Sequence, residues 1–178
     1  EILSGLEGIS LPDGGFLCLH RVNKLKYTPK SCYKANLQAL MLFAECRKKG
    51  IACGAEKNLT GYFLNRNLFY KSTDLSALVL DGRSGWRTVD AFFPFEVMRV
   101  GLQNVVEAFC ALGYGGDAKL APALGMLGKK RGADGRYALE GTLVKSYLPR
   151  ERVGKPSKWV TFYALLAQKE CSDYAKKR

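Results

Sequence analysis

Apolar positions recur along this chain at two densities. The segments Ser31 to Lys49, Glu96 to Leu112 and Ser157 to Cys171 are apolar almost all round. In the first, Leu37, Ala39, Leu40, Met41, Leu42, Phe43 and Ala44 leave no clean polar face. In the second, Val97, Val100, Leu102, Val105, Val106, Phe109 and Leu112 do the same. A helix with that pattern is buried on most sides, so the three read as inner helices. Between them, Leu59, Tyr62, Phe63 and Arg66 are spaced i, i+3, i+4, i+7, and Leu120, Ala123, Leu124 and Leu127 fill that spacing completely. Those read as outer helices with one wet face. Punctuation agrees: Gly50 and Gly113 stop two inner helices, and Asp117 is placed to cap the helix of Leu120. Pro94 and Pro156 stand just before the second and third inner helices, where proline is tolerated. Ser72 to Thr88, with Asp81-Gly82 and Ser84-Gly85, has no helical period and reads as a long loop.

The chain also echoes itself. Asp13-Gly14-Gly15-Phe16 matches Asp134-Gly135-Arg136-Tyr137. After each comes a loop and then a helix that opens on a serine and an aromatic: Ser31-Cys32-Tyr33 and Ser157-Lys158-Trp159. Both helices carry Ala-Leu in the middle, at Ala39-Leu40 and Ala164-Leu165, and the three inner helices end near Cys46, Cys110 and Cys171. Self-similarity at a fixed interval is the mark of a repeat architecture. In each turn Gly14 or Gly135 supplies a backbone conformation other residues resist. Phe16 or Tyr137 is then a packing wedge, and Asp13 or Asp134 an acceptor for turn N–H groups.

Composition narrows the picture. At 178 residues the length suits one domain with a proper core. No run of 18 apolar residues occurs, so no membrane span is expected. Glu1 to Gly8 lacks the basic start and apolar run of a signal peptide. The chain opens inside a helix-like segment and reads as a fragment of something longer. The six cysteines, at 18, 32, 46, 53, 110 and 171, contain no C-x-x-C spacing. A reducing cytoplasm is the compartment expected from that usage. The net charge of +12 favours acidic partners, whether nucleic acid, anionic lipid headgroups, or phosphate or pyrophosphate groups, although solubility alone would also account for it.

An inner helix, an outer helix and a Gly-Gly-aromatic turn together resemble the prenyltransferase/squalene-cyclase repeat of the terpenoid cyclases and protein prenyltransferases. Leu3-Ser4-Gly5-Leu6 through Asp13-Gly14-Gly15-Phe16 looks like one repeat ending. Leu124 through Lys130 with Asp134-Gly135-Arg136-Tyr137 looks like a second. The segment Lys155-Pro156-Ser157-Lys158-Trp159-Val160-Thr161 with Ala164-Leu165 looks like the closing helix of an uncharacterised branch. The resemblance implies an all-α fold: a single helical-repeat domain over 1–178, forming a partial α/α toroid around an apolar centre. Chemistry does not follow. Cyclases in that superfamily use an Asp-x-Asp-Asp acid motif, and no two aspartates here lie within three positions. The prenyltransferases bind zinc with an Asp, a Cys and a late His, whereas the single histidine here is His20. An incomplete ring would also expose an apolar edge, implying a second copy or a further N-terminal region to cover it.

Three groups of residues remain as candidates. Cys18, His20 and Cys32 follow one Gly-Gly turn, and two thiolates with an imidazole could ligate zinc. The plainer reading is a buried cysteine and a solvated histidine. Aromatic and basic residues gather where the inner helices begin: Tyr33; Trp86, Arg87, Phe95 and Arg99; and Tyr147, Lys158 and Trp159. Aromatic walls with cations at the mouth suit an isoprenoid pyrophosphate or another amphipathic anion. They also suit stacked bases with contacted phosphates. Against both stands ordinary core packing with solvated charges. No catalytic motif is found: there is no Gly-x-Ser-x-Gly elbow, and Gly125-x-x-Gly128-Lys129 is too short for a phosphate loop. The sequence therefore leads to a helical binding domain for an apolar or isoprenoid-like ligand in a central cavity. A metal-dependent enzyme and a nucleic-acid or acidic-partner module are the alternatives.

Overall fold

A computed structural model describes residues 2–17, 31–80, 86–88, 100–141 and 151–176. The chain divides into two compact units, Glu1–Val79 and Leu80–Arg178. Unit 1 contains α1 (Ile2–Glu7), α2 (Tyr33–Lys48), α3 (Glu56–Leu64) and a hairpin of β1 (Tyr70–Lys71) and β2 (Asp74–Leu78). Helix α2 packs on α3. Phe16, Leu40, Phe43, Leu59, Phe63, Leu68 and Phe69 are almost fully buried there, with Phe16 edge-on to Phe43 at 6.1 Å between centroids. Each such side chain is worth about 1.5–3 kcal/mol of burial, so these rings and leucines set the core.

Unit 2 contains α4 (Leu102–Ala111), a 3-10 turn at Ala118–Leu120, α5 (Ala121–Lys129), β3 (Tyr137–Ala138), β4 (Pro156–Ser157) and α6 (Lys158–Lys176). Helix α4 packs on both α5 and α6. It is buried along nearly its whole length, as its apolar sequence demands. Asp117 caps the 3-10 turn by accepting the Lys119 N–H at 2.8 Å. Helices α2 and α4 stop in the same way. Gly50 (φ 71°) and Gly113 (φ 91°) are left-handed, and the following N–H groups of Ile51 and Tyr114 reach back to the Cys46 and Phe109 carbonyls at 2.8 Å. Cys110 on α4 and Cys171 on α6 are joined by a disulfide, with Cα atoms 5.7 Å apart.

The two Asp-Gly turns share their hydrogen bonds residue for residue. Leu11 N–H donates to the Gly15 carbonyl at 2.8 Å and Gly132 N–H to the Arg136 carbonyl at 2.7 Å. Asp13 accepts the Gly15 N–H at 3.1 Å, and Asp134 accepts the Arg136 N–H at 3.0 Å. The wedge residues that follow, Phe16 and Tyr137, are buried, and each pairs its backbone with the residue just before or opening the next helix. Cys32 N–H donates to the Phe16 carbonyl at 3.0 Å, and Tyr137 pairs with Ser157 in the β3–β4 ladder. Four residues further on, a side chain takes the wedge's own N–H: Asn36 Oδ1 at 2.7 Å from Phe16, Thr161 Oγ1 at 2.9 Å from Tyr137. On these bonds Cys32 corresponds to Ser157. That is one residue off the Ser31-to-Ser157 match read from sequence, and it keeps Ala39-Leu40 level with Ala164-Leu165.

The expected all-α partial toroid is corrected here. Among the described residues about 52% are helical, there are two small antiparallel sheets, and no toroid is evident. The strands escape the sequence pattern for physical reasons. Three are two residues long, too short for any alternation to register. The fourth, β2, lies within the stretch read as a long loop, and Leu75 in it is exposed, so its pattern carries no period-2 signal. The third inner helix is also less buried than its composition suggests, because α6 exposes Trp159, Phe162 and Leu165.

Two stability measurements follow. Gly14 has φ 84°, and a Cβ there would run into the Asn58 backbone carbonyl. Gly135 has φ 78°, but its nearest obstacle is the flexible Arg131 side chain at 3.3 Å. Gly14→Ala is expected to cost roughly 2–4 kcal/mol in urea unfolding and Gly135→Ala about 1 kcal/mol. Equal losses would mean that the backbone contact is not what requires glycine at 14. The Cys110–Cys171 bond spans 61 residues. Its reduction is expected to lower stability by about 2–4 kcal/mol, read as a drop in Tm on adding dithiothreitol that Cys110→Ser no longer shows.

Candidate functional site

The structure distributes the sequence-derived candidates unevenly. Tyr33 opens α2 and is buried, with its hydroxyl donating to the Leu68 carbonyl at 2.6 Å. Burial pushes that hydroxyl well above the usual tyrosine range, so it stays protonated as a donor. The acceptor lies in a turn where Asn67 (φ 44°) and Leu68 (φ 66°) are both left-handed, a costly conformation for leucine. Tyr33 thus holds a strained turn against the unit 1 core. Trp86 is buried in unit 2, next to Arg87, which is exposed and whose carbonyl accepts the Leu102 N–H opening α4. Phe95, Arg99 and Tyr147 lie outside the described residues. So do Cys18 and His20; Cys32 is half-buried just before α2. Among the described residues no group of three or more His, Cys, Asp or Glu side chains is arranged to hold a metal.

Of Lys158 and Trp159, Lys158 lines a cavity. They are the first two residues of α6, with the Lys158 ammonium 5.4 Å from the centre of the Trp159 ring. Lys158 lines a cleft of about 450 Å³ together with Arg136, Glu151, Pro156, Thr161 and Phe162. That volume is in the range of small-molecule sites. Its walls are built by the elements already described. Arg136 comes from the second Asp-Gly turn, Pro156 from β4, and Lys158, Thr161 and Phe162 from the first turn of α6.

The electrostatics of this cleft are lopsided. Neither Arg136 nor Lys158 has an ion-pair partner among the described residues. The α6 N-terminus adds the positive end of a helix dipole. Glu151 already answers part of that field, accepting the Lys158 N–H at 3.0 Å, while Ser157 Oγ accepts the Val160 N–H at 3.0 Å. The helix end is therefore capped, and what remains unanswered is the pair of side-chain cations. Elsewhere in unit 2 the cation Lys130 is neutralised by Glu140 at 2.5 Å, and the Glu140 carboxylate also takes the Thr88 N–H at 2.7 Å.

The corresponding turn of unit 1 has no room for a side chain at the position of Arg136. Gly15 stands where Arg136 stands in unit 2, and a Cβ there would collide with Ser31 and Asn36. The helical face differs as well. Leu37 and Leu40 of α2 are 4% and 0% exposed, whereas the corresponding Phe162 and Leu165 of α6 are 55% and 38% exposed. Positions that one unit packs, the other leaves open beside two cations. Sequence reasoning missed Arg136, Glu151 and Phe162. The departure from Gly-Gly to Gly-Arg in the second turn was the available signal for Arg136, and the i+3 spacing from Trp159 for Phe162.

No protein-family model, curated protein or solved structure matches this chain.

Tyr33→Phe leaves the buried Leu68 carbonyl without its donor and should cost about 1–3 kcal/mol in denaturant unfolding. A loss below about 0.5 kcal/mol would mean that the hydroxyl does not hold the turn.

Proposed function

We propose that the second unit is a binding module for an amphipathic organic anion: a phosphate, pyrophosphate or carboxylate head with an apolar tail. The observation that carries this reading is the cleft at the start of α6, where Arg136 and Lys158 have no ion-pair partner among the described residues and stand beside the exposed ring of Phe162. Two cations a turn and a helix end apart suit a head with several oxygens, each N–H···O bond being charge-assisted. The tail has a track to follow. Trp159, Phe162 and Leu165 succeed one another at i+3 intervals on α6, and all three are exposed. Burying those side chains under an alkyl or isoprenoid tail removes apolar surface from water, which favours association by roughly 25 cal/mol per Å² before the costs of binding. The overall charge of +12 would speed the approach of such a ligand at low salt.

The test is a titration of the whole protein with a single-chain alkyl monophosphate held below its micelle concentration, followed by calorimetry. Saturable one-to-one binding is expected. Arg136→Ala and Lys158→Ala should each weaken it roughly tenfold, since a charged hydrogen bond is worth about 1.5–3 kcal/mol and these groups are wet. Phe162→Ser should weaken the long-chain ligand more than a short-chain one. A titration that never saturates, or the same affinity in the Arg136→Ala/Lys158→Ala double variant, overturns the proposal.

A further inference from the structure

A second cavity lies in unit 1, and it leads to sulfur. Helix α2 ends at Gly50, with the Gly50 N–H bonded to the Arg47 carbonyl at 3.0 Å and the Ile51 N–H to the Cys46 carbonyl at 2.8 Å. That closure fixes the last turn of α2 and folds the outgoing chain back over it. Three residues later Cys53 arrives beside Cys46, and their thiols hydrogen-bond to one another. Both residues are 9% exposed and neither is in a disulfide. Cys53 also lines a cavity of about 310 Å³ with Arg47, Ile51, Glu56 and Lys57. The pair is thus shielded by packing, yet Cys53 borders a space large enough for a small reagent.

An independent observation concerns position. Cys46 stands fourteen residues after Cys32, and Cys171 stands fourteen after Ser157. Cys32 and Ser157 are the residues that pair with the two wedges. The same helical place therefore holds a cysteine in both units. In unit 2 it is bonded to Cys110; in unit 1 a second thiol stands next to it and the bond is open.

We propose that Cys46 and Cys53 form a dithiol–disulfide couple, closed by a small organic disulfide that enters the cavity on the Cys53 side. The Cys53 thiolate attacks one sulfur of that disulfide. The S–S bond breaks, and one thiol leaves carrying the proton that Cys53 lost. The Cys46 thiolate then attacks the Cys53 sulfur of the mixed disulfide and releases the second thiol. The protein gives up two electrons and two protons, and the organic disulfide becomes two thiols. Arg47, Glu56 and Lys57 line the cavity, Arg47 is paired to Glu56 at 2.5 Å, and the Glu7 carboxylate lies against Gly54 of the lining.

Thiolate supply sets the rate. Burial, and then the Cys46 hydrogen bond, push the Cys53 thiol up to about 11, with Glu56 adding to the rise and Arg47 opposing it. Only the thiolate attacks, so closure is slow near neutrality and should quicken about tenfold per pH unit between roughly pH 7 and pH 10.

The experiment treats the whole protein with oxidised glutathione at graded pH, quenches with acid, alkylates and maps peptides by mass. The expected result is a Cys46–Cys53 crosslink whose rate climbs with pH, no persistent glutathione on the wild type, and a stable glutathione adduct on Cys53 in Cys46→Ser. The wild-type map stands even if that variant fails to fold. The proposal is overturned if Cys46 and Cys53 remain fully alkylatable while other cysteines oxidise. A rate independent of pH, or a glutathione adduct that persists on wild-type Cys53, overturns it as well.

Discussion

The two Asp-Gly turns depend on one hydrogen bond made twice. The backbone N–H of a buried aromatic residue is held by a side chain four residues into the helix region that follows: Phe16 by Asn36, and Tyr137 by Thr161. A buried N–H left without a partner costs about as much as the burial of a methyl group or two gains, so the wedge ring can enter the core only if that donor is satisfied. The wedge carbonyl or strand edge is answered in turn by Cys32 or by the Ser157 pairing. Local sequence thereby fixes where α2 and α6 start and how each sits on its own Asp-Gly turn.

Two copies of one device have been put to different uses. In unit 1 the turn is closed: Gly15 lies against Ser31 and Asn36, and the α2 face at Leu37 and Leu40 is buried. In unit 2 an arginine replaces that glycine, and the α6 face at Phe162 and Leu165 is exposed. A single loss of steric constraint, at a position where the backbone hydrogen bonds are unchanged, is enough to place a guanidinium beside an apolar track. The cleft is an elaboration of the fold, and its polarity follows from which residues the shared turn left free to vary.

Much of this was legible in the sequence, though unevenly. The long apolar runs located α2 and α4, the glycine stops at 50 and 113 closed them, and the Asp-Gly-x-aromatic echo pointed to two equal turns. The strands were not legible, because two-residue ladders leave no periodic trace, and so an all-helical ring was the wrong extrapolation from correct helices. The aromatic-basic rule selects Lys158, Trp159 and Tyr33 alike, and the structure gives the Tyr33 hydroxyl the Leu68 carbonyl as its acceptor. Composition cannot separate those cases. What distinguishes them is whether the neighbouring face is packed, and that is a tertiary property. The cysteines teach the same lesson: Cys110 and Cys171 lie 61 residues apart without a motif, and only the packing of α4 on α6 brings them together.

Helix α6 is tied to the rest of unit 2 at several levels. Near its start Thr161 holds the Tyr137 backbone, at its middle Gln168 Nε2 donates to the Tyr137 hydroxyl at 3.0 Å, and further along Cys171 is bonded to α4. Val160, Ala164 and Ala167 are buried at most 1% exposed on the face between those ties. A helix fastened at three levels cannot rotate to hide Phe162 and Leu165, so their exposure is imposed by the fold and is not a matter of side-chain choice. Sites carried on rigid elements lose less ordering entropy when they bind than sites on loops do. The disulfide would then matter to the cleft at a distance along one helix, by keeping its apolar track facing outward beside Arg136 and Lys158.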